Sequence, residues 1–405
     1  MRSSSLKPLR YAVFVLFLVG LLVAGGYWLF SWRWDLVSEQ RHFQSRIQQA
    51  LKEPLAKGEF PSTLQFSRPG GSYSHLAKYT INPEWQRRMD ALFRLWKPDY
   101  GAFVALDATT GAVLAISSFS KAEPEIGNLA VRATFPAASV FKIVTAAAAL
   151  NESILDPESL VSFNGRRHTL YKRNVTARDM NRWTRTIPFK RAFALSINTV
   201  FGKLGMFQLK GETLEQYALR FFFNQVIPGD LPLEKASFHL KNNNPWSWAE
   251  IASGFNRVVL MSPVQGALMA AAIANDGVAM EPHLVDSLFP VSGESLVYAA
   301  KQRELGSVVS PESAEMMRVL MRETVRNGTA RFAFRRNKRL KEYDIGGKTG
   351  SLKGSDPEGK CDWFVGYGMD GDRRVAVAAL TVDVKKWRIK ASKIASHFFE
   401  AYFAD

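Results

Sequence analysis

Residues 136–150 read PAASVFKIVTAAAAL and place Ser139 and Lys142 three positions apart at the front of an apolar segment. Pro136 favours a helix start, and the alanine-rich run that ends at Leu150 favours a fully buried helix. Side chains at positions i and i+3 share one face of a helix. The stretch therefore predicts that Ser139 lies in the first turn of a buried helix, with the Lys142 amine within reach of its hydroxyl.

A serine and a lysine held in this way suit nucleophilic catalysis. A hydroxyl is a weak nucleophile at neutral pH and must lose its proton to an adjacent base as it attacks. Lysine can act as that base when burial and a second cation lower its pKa. No motif places any of the six histidines to act as the base. We expect Lys348 to supply the second cation near Lys142.

Ser196 and Asn198 form a second short pattern, in an apolar setting between Ala192 and Phe201. Polar groups in such surroundings need hydrogen-bond partners. The pattern is weak by itself, because residues 162–164 repeat it in a predicted loop. Alone it favours a turn in which both side chains cap backbone groups.

The string Lys348-Thr349-Gly350-Ser351 follows two glycines on a short predicted strand and occurs once in the chain. Glycines at such positions let another backbone or a ligand approach closely. A phosphate-binding loop is excluded, because Glu342 stands where that motif requires glycine. Taken alone, the string fits an edge strand that carries one exposed lysine.

In their order along the chain, the three motifs resemble the signature of the penicillin-binding transpeptidase and serine β-lactamase superfamily. The resemblance covers residues 80–403 and implies a small monofunctional member with a membrane anchor. Other stretches that resemble the family are residues 102–107, 110–115, 262–265, 273–277, 327–330, 362–367 and 375–378.

The resemblance implies an α/β fold of the penicillin-binding transpeptidase type, with an antiparallel sheet flanked by helices and an all-helical subdomain. The alternation of predicted strands and helices agrees with this class. We expect the sheet to combine a hairpin over residues 102–115, the Lys348 strand and two C-terminal strands. A helix over residues 386–403 is expected on one face, and Ser139 and Ser196 at the border of the helical subdomain.

Carried over residue by residue, the resemblance implies that a D-alanyl-D-alanine stem peptide acylates Ser139 while Lys142 takes the hydroxyl proton. Ser196 and Asn198 would relay the proton and hold the peptide. Penicillins would inhibit by acylating the same serine. The implied catalytic residues are Ser139, Lys142, Ser196, Asn198 and Lys348.

The implied substrate-binding residues are Thr349, Gly350 and Ser351. Lys348 and Thr349 would meet the terminal carboxylate of the peptide. The backbone amides of Ser139 and Ser351 would form an oxyanion hole for the tetrahedral intermediate.

Residues 11–30 are uncharged and apolar, and a helix of that length can cross a hydrocarbon core about 30 Å thick. Basic residues precede this stretch without an acidic one, which favours a cytoplasmic N-terminus. Arginines also follow the stretch, so the predicted orientation rests mainly on the implied function. We therefore predict a single-pass protein of the inner (cytoplasmic) membrane with an extracytoplasmic, periplasmic catalytic domain. Its predicted parts are a cytoplasmic tip (1–10), a transmembrane anchor (11–31), a short pedestal (32–79) and a transpeptidase domain (80–405).

The pedestal is predicted to contain one amphipathic helix, near residues 39–51, that Pro54 ends. The resemblance implies that related chains carry either a glycosyltransferase domain or a larger N-terminal module. Neither fits in a segment of this size, which argues against a polymerase activity. A role in elongation, division or sporulation stays open, as do the partners from the cell-wall synthesis machinery.

The formal net charge of +16 raises the hypothesis of nucleic-acid binding. The predicted extracytoplasmic location argues against that partner. Two basic tracts, residues 166–191 and 331–341, carry much of the excess charge and most simply form solvated faces. The functional alternative is attraction to anionic phospholipid, a lipid-linked precursor or a wall polymer.

Neither a cofactor nor a metal is predicted. The histidines form no His-x-x-x-His pattern and no cluster with cysteine. Cys361 is the only cysteine, so it cannot form an internal disulfide, and we expect it to be a small buried hydrophobic residue.

The predicted function is a peptidoglycan D,D-transpeptidase that crosslinks stem peptides and is inhibited by penicillin. A D,D-carboxypeptidase stays open, because only the acceptor differs between the two. A β-lactamase would need a water-activating glutamate, and Glu212, Glu215 and Glu234 lack the asparagine four positions later that accompanies it in class A enzymes. Asn198, in place of the valine usual in β-lactam sensors, argues against a sensor, and a non-catalytic cell-wall scaffold is the remaining alternative.

Overall fold

The computed structural model describes residues 40–121, 123–177, 180–240, 244–293 and 295–404. The predicted cytoplasmic tip and transmembrane anchor lie outside these residues. No helix within the described ranges is long and apolar enough to cross a bilayer.

The strands account for two larger sheets and three two-stranded ribbons in the described part of the chain. They are β1 (Thr63–Arg68), β2 (Gly71–Tyr79), β3 (Tyr100–Asp107), β4 (Val113–Ser120), β5 (Phe135–Pro136), β6 (Leu160–Phe163), β7 (Arg185–Pro188), β8 (Leu260–Met261), β9 (Val278–Met280), β10 (Val285–Pro290), β11 (Tyr298–Ala299), β12 (Glu304–Ser307), β13 (Asp344–Ser355), β14 (Glu358–Asp370) and β15 (Arg373–Asp383).

The helices alternate with these strands, as the α/β prediction requires. They are α1 (residues 40–56), α2 (Pro83–Trp96), α3 (Lys142–Asn151), α4 (Lys172–Thr176), α5 (Phe189–Ala194), α6 (Asn198–Lys203), α7 (Lys210–Arg220), α8 (Pro245–Ala252), α9 (Pro263–Ala274), α10 (Pro311–Arg326), α11 (Arg331–Phe334) and α12 (Ala391–Tyr402).

The main sheet has five antiparallel strands in the order β13-β14-β15-β3-β4. It contains the hairpin, the Lys348 strand and the two C-terminal strands that the sequence predicted. Neighbouring residues of a strand point to opposite faces. Phe364 accordingly lies against Phe334 of α11 on the face that α12 covers, while Val365 lies beside Gly266 of α9. Because helices cover both faces, β3, β14 and β15 are buried along most of their length.

Helix α9 fills the centre of the molecule, and every one of its residues is buried. It starts as the sequence predicted, because the Ser262 hydroxyl accepts a hydrogen bond from the Gln265 amide at 3.1 Å and Pro263 follows at the first position. A helix that is apolar all round must be enclosed on all sides. Helix α9 therefore joins the main sheet to the helical region that contains α3.

The region between α3 and α8 is mainly helical, but the prediction of an all-helical subdomain was wrong in one detail. Strands β6 and β7 pair there as an antiparallel ribbon, with Val161 opposite Ile187 and Ser162 opposite Thr186. Residues with branched side chains favour such pairs. The ribbon lies between α3 and α5 along the chain.

Residues 40–79, the described part of the predicted pedestal, pack against the rest of the fold. Strands β1 and β2 form one sheet with β10 and β11. Helix α1 buries Ile47, Leu51 and Leu55 in the main core, and it runs two residues past the predicted stop at Pro54. The boundary at residues 79 and 80 stays a prediction.

The C-terminal helix α12 starts five residues later than predicted. Its first amide, that of Ala391, donates to the carboxylate of Asp362 on β14 at 2.9 Å. The preceding residues, 384–390, form a loop instead of a helical turn. A partner on a distant strand sets this helix start, which local propensity alone does not reveal.

Candidate active site

Ser139 lies in a 3₁₀ turn, Ala138–Phe141, that leads into α3. The prediction that it sits in the first α-helical turn was therefore wrong by one turn. Ala138 has a φ of 50°, a left-handed conformation that is uncommon for a residue with a side chain. Gly254, also at positive φ, makes room for this turn, because a Cβ there would lie 1.9 Å from the Ala138 carbonyl oxygen.

The Lys142 amine meets the Ser139 hydroxyl as the sequence predicted, with 2.9 Å between Nζ and Oγ. It also donates to Asn198 Oδ1 at 2.8 Å and to the carbonyl of Ser253. The side chain is completely buried. Burial and the neighbouring charge of Lys348 lower the pKa of Lys142 well below its usual value, which favours the neutral amine.

Ser196 occupies the turn between α5 and α6 and has a φ of 55°. Its amide donates to the Phe193 carbonyl at 3.0 Å, which fixes the turn. Asn198 is the first residue of α6, and its Nδ2 donates to the His168 carbonyl at 3.0 Å. The same side chain thus contacts Lys142 with its oxygen and the loop before α4 with its nitrogen.

Lys348 lies on edge strand β13, yet it is completely buried, so the interpretation of an exposed edge lysine was wrong. Its Nζ donates to Ser196 Oγ at 3.0 Å and to the Thr349 carbonyl at 2.7 Å. Burial lowers the pKa of Lys348 to about 7.

Gly350 allows β13 to approach the turn that carries Ser139. A Cβ at this position would lie 3.1 Å from the Val140 nitrogen and 3.3 Å from the Ser139 nitrogen. These distances are shorter than most real Cβ contacts. The glycine therefore brings the backbone amides of the turn next to the strand.

A cleft of about 780 Å³ opens over these elements. Six of the predicted site residues line it, and Lys142 and Lys348 lie behind them, bonded to Ser139 and Ser196 respectively. All eight predicted residues therefore come together at one place. The six lining residues are Ser139, Ser196, Asn198, Thr349, Gly350 and Ser351.

The structure adds site residues that the motifs did not identify. Thr329 lines the cleft and shares a hydrogen bond between its hydroxyl and that of Thr349. His168 also lines it, and burial together with Lys142 and Lys348 lowers the pKa of its imidazole. Thr329 lies in a stretch that resembled the family, whereas nothing in the sequence marked His168 or the Ser253 carbonyl.

The glutamates considered for water activation lie away from the cleft. Glu234 accepts a hydrogen bond from the Ala133 amide at 2.9 Å, and Glu212 and Glu215 are on α7. Asp362 is the one carboxylate among the described residues that line the cleft, and it is bonded to the Ala391 amide. No described acidic side chain is therefore placed to activate water beside Ser139.

Cys361 is completely buried on β14, which confirms its predicted role as a small hydrophobic residue. Burial raises the pKa of its thiol to about 12. The thiol therefore takes no part in the chemistry of the cleft.

Comparison with known proteins agrees with the family resemblance seen in the sequence. Residues 101–403 match the family described as the penicillin binding protein transpeptidase domain. The peptidoglycan D,D-transpeptidase PbpA of Mycolicibacterium smegmatis is 28% identical over 317 residues, which are 71% of this chain and 62% of that protein. The chain spans between 45% and 62% of the length of the first two relatives it matches.

Two solved structures have a similar fold. The D,D-transpeptidase domain of a peptidoglycan glycosyltransferase from Eggerthella lenta is 26% identical, with a TM-score of 0.68, and the match covers 84% of this chain and 89% of that one. An imipenem acyl-enzyme complex of penicillin-binding protein A from M. tuberculosis is 23% identical, with a TM-score of 0.67, and the match covers 81% of this chain and 80% of that one. The second similarity shows the fold alone.

Proposed function

The chain belongs to the penicillin-binding protein transpeptidase family, and from this premise we propose that it is a peptidoglycan D,D-transpeptidase that acts through an acyl-enzyme on Ser139. One observation carries the proposal. The Lys142 amine lies 2.9 Å from the Ser139 hydroxyl in a fully buried position where its pKa is lowered. A neutral amine at this distance can accept the proton of the hydroxyl as the hydroxyl attacks.

In the proposed acylation, the Ser139 oxygen forms a bond to the carbonyl carbon before the terminal D-alanine, and its proton moves to Lys142. The backbone amides of Ser139 and Ser351 stabilise the oxyanion. The intermediate then loses D-alanine when its C–N bond breaks, and the proton passes from Lys142 to the leaving amine. Ser196, whose hydroxyl accepts a hydrogen bond from Lys348 at 3.0 Å, relays this proton in the proposal.

The proposed deacylation reverses these steps with a new amine. An acceptor amine from a second stem peptide attacks the ester carbon and gives its proton to Lys142. The C–O bond to Ser139 breaks, and the serine oxygen regains a proton. The product is a peptide crosslink, and attack by water instead of the amine would give a trimmed peptide.

Lys348, Thr349 and Gly350 have supporting parts in this proposal. Lys348 keeps Lys142 neutral through its nearby charge and, with Thr349, attracts the terminal carboxylate of the donor. The Thr329 and Thr349 hydroxyls, which are bonded to each other, offer further donors at that end. Gly350 keeps the strand close enough for the two amides of the oxyanion hole to converge.

The absence of a described acidic residue beside Ser139 supports a slow reaction with water and hence a long-lived acyl-enzyme. β-Lactams would therefore act as inhibitors. The first test is covalent labelling of the full chain by a fluorescent penicillin, followed by intact mass. We expect a stable adduct that is lost in Ser139→Ala and kept in Ser118→Ala, since Ser118 begins another Ser-x-x-Lys pattern on β4.

Other outcomes would replace the proposal. Rapid loss of the label with hydrolysed penicillin would favour a β-lactamase, and absence of labelling would favour a non-catalytic scaffold. A donor peptide ending in D-alanyl-D-alanine then separates the two remaining activities. With an added D-amino acid as acceptor, exchange of the terminal residue supports a transpeptidase, while hydrolysis alone supports a carboxypeptidase.

We also propose that residues 11–31 anchor the chain in the cytoplasmic membrane, with the catalytic region on the outer side. Support comes from the apolar sequence of that segment, which lies outside the described residues. Cell fractionation and protease accessibility of intact spheroplasts test both parts of this proposal. Partners from the cell-wall synthesis machinery would be sought by crosslinking in the same membranes.

A further inference from the structure

The cleft continues past Ser351 along a wall built from β14, the loop that precedes α12 and the first turn of α12. Basic side chains and one indole ring dominate this wall. We call it the basic wall, and it consists of Lys360, Trp387, Arg388, Lys390 and Lys393.

The positive charge of the basic wall is largely uncompensated within the described residues. Asp362 lines the cleft here and is already bonded to the Ala391 amide at 2.9 Å and to Lys390 at 3.4 Å. Two further carboxylates lie outside the cleft lining: Asp383 is the register partner of Lys360 across β14 and β15, and Glu400 lies near Lys393. No ion pair within the described ranges involves Lys360, Arg388 or Lys393. An anion that entered this part of the cleft would therefore meet four cationic side chains and one carboxylate, Asp362, among the lining residues.

Trp387 orders two of these cations. The Lys360 ammonium lies 4.2 Å from the centre of the indole ring and the Lys390 ammonium lies 2.8 Å from it. Such cation–π contacts restrict long side chains that would otherwise sample many rotamers. Ordered donors lose less entropy when a ligand binds, which distinguishes this wall from an ordinary solvated face.

The register of the sheet places the basic wall relative to the reacting bond. Ser351 pairs with Asp362 and Lys353 pairs with Lys360, so Lys360 lies two residues beyond the oxyanion-hole position. Two residues of a strand span about 7 Å. A donor peptide that runs along edge strand β13, with its terminal carboxylate at Thr349, would extend its acyl part toward Lys360.

We propose that the basic wall binds a carboxylate on the acyl-donor part of the substrate, on the side of the reacting carbonyl that lies away from Thr349. The inference rests on the proposed transpeptidase function and adds a charge preference to it. Donors with an acidic side chain in this segment are then acylated faster than otherwise identical neutral donors.

Two penicillins of equal length test this preference on the full chain. One carries an adipoyl side chain that ends in a carboxylate, and the other carries the corresponding adipamide. We expect the second-order acylation rate constant to be about threefold to tenfold larger for the acid, as for a few partly exposed ion pairs. Raising the salt concentration from 50 to 500 mM lowers this ratio because salt screens exposed charges.

In the double variant Lys360→Gln/Lys393→Gln, the ratio of the acid to the amide rate constant should fall close to one. The rate constant for the adipamide penicillin should stay within about twofold of its wild-type value. Lys353→Gln is the matched control, since Lys353 lies on the same hairpin, pairs with Glu358 at 2.7 Å and does not line the cleft. It should keep the wild-type ratio.

Three results would overturn the inference. A ratio near one in the wild-type chain, or an unchanged ratio in the double variant, removes the charge preference. A collapse of both rates in the double variant assigns these lysines a structural role instead. If neither penicillin acylates Ser139 in the wild-type chain, the proposed function itself fails, which is distinguishable from the loss of the preference alone.

Discussion

The cleft contains lysines in two contrasting settings. Lys142 and Lys348, at its inner end, are completely buried, whereas Lys360 and Lys390, on the basic wall, are exposed and lie against Trp387. Burial disfavours the ammonium form and lowers the pKa of both inner lysines. The same residue type therefore offers a base at one end of the cleft and a fixed cation at the other.

The partners of the inner lysines sharpen this contrast. Their amines contact hydroxyls, carbonyls and the Asn198 amide oxygen, and neither forms an ion pair with a carboxylate among the described residues. A carboxylate would favour the charged form and raise the pKa. Lys390, by contrast, has Asp362 as a partner, which opposes the lowering of the Lys390 pKa by partial burial. With neutral acceptors, no carboxylate opposes the lowering of the two pKa values by burial.

The largest effect is expected for Lys142→Met, which removes the proposed base and keeps the length of the side chain. We expect the rate constant for acylation by benzylpenicillin to fall by about 10³-fold, within the range that general-base catalysis supplies. The measurement is stopped-flow labelling, with the melting temperature as the check on folding. A decrease of less than tenfold in a folded variant would contradict the role of Lys142 as the base.

Lys348→Met should separate stability from activity. The pKa of Lys348 falls from 10.5 in the unfolded chain to about 7 in the fold, so below pH 7 burial of its charge destabilises the fold by at most about 5 kcal/mol. Between pH 7 and 10.5 the folded protein has released this proton, whereas the unfolded chain still holds it. The free energy of unfolding of the wild-type chain therefore increases as the pH rises through this range. The variant should thus be more stable at pH 6, and its advantage should shrink at pH 9.

Urea unfolding at the two pH values measures this change, while acylation by benzylpenicillin should fall in the same variant. Loss of the hydrogen bond to Ser196 offsets about 1 kcal/mol of the gain. If the stability gain of Lys348→Met did not depend on pH, burial of the lysine charge would not be its cause. A gain of stability together with a loss of activity would be the expected cost of a functional site.

Lys360→Met, on the basic wall, should have the smallest effect. We expect its free energy of unfolding to change by no more than about 1 kcal/mol, the size of an exposed cation–π contact. The same urea titrations provide the measurement. A gain of stability as large as that of Lys348→Met would mean that burial does not distinguish the inner lysines from those of the basic wall.

Much of the fold and of the candidate site followed from local patterns. The hairpin before the cleft, the Ser262 cap of α9 and the buried Cys361 were predicted, because turns, caps and alternation depend on residues close in sequence. The late start of α12 was not, since its first amide is bonded to a residue on a distant strand. The left-handed conformation of Ala138 was not predicted either, because it depends on the space that Gly254 leaves, and Gly254 is far away in the sequence.

The sequence by itself determined the eight motif residues of the site and their spacing within each motif, because helices and strands repeat at fixed intervals. Only the tertiary structure decided which lysines are buried, since burial results from contacts between elements far apart along the chain. Lys348 and Ser196 are 152 positions apart, and Lys142 and the Ser253 carbonyl are 111 apart. Those contacts separate a lysine that can act as a base from one that remains a cation.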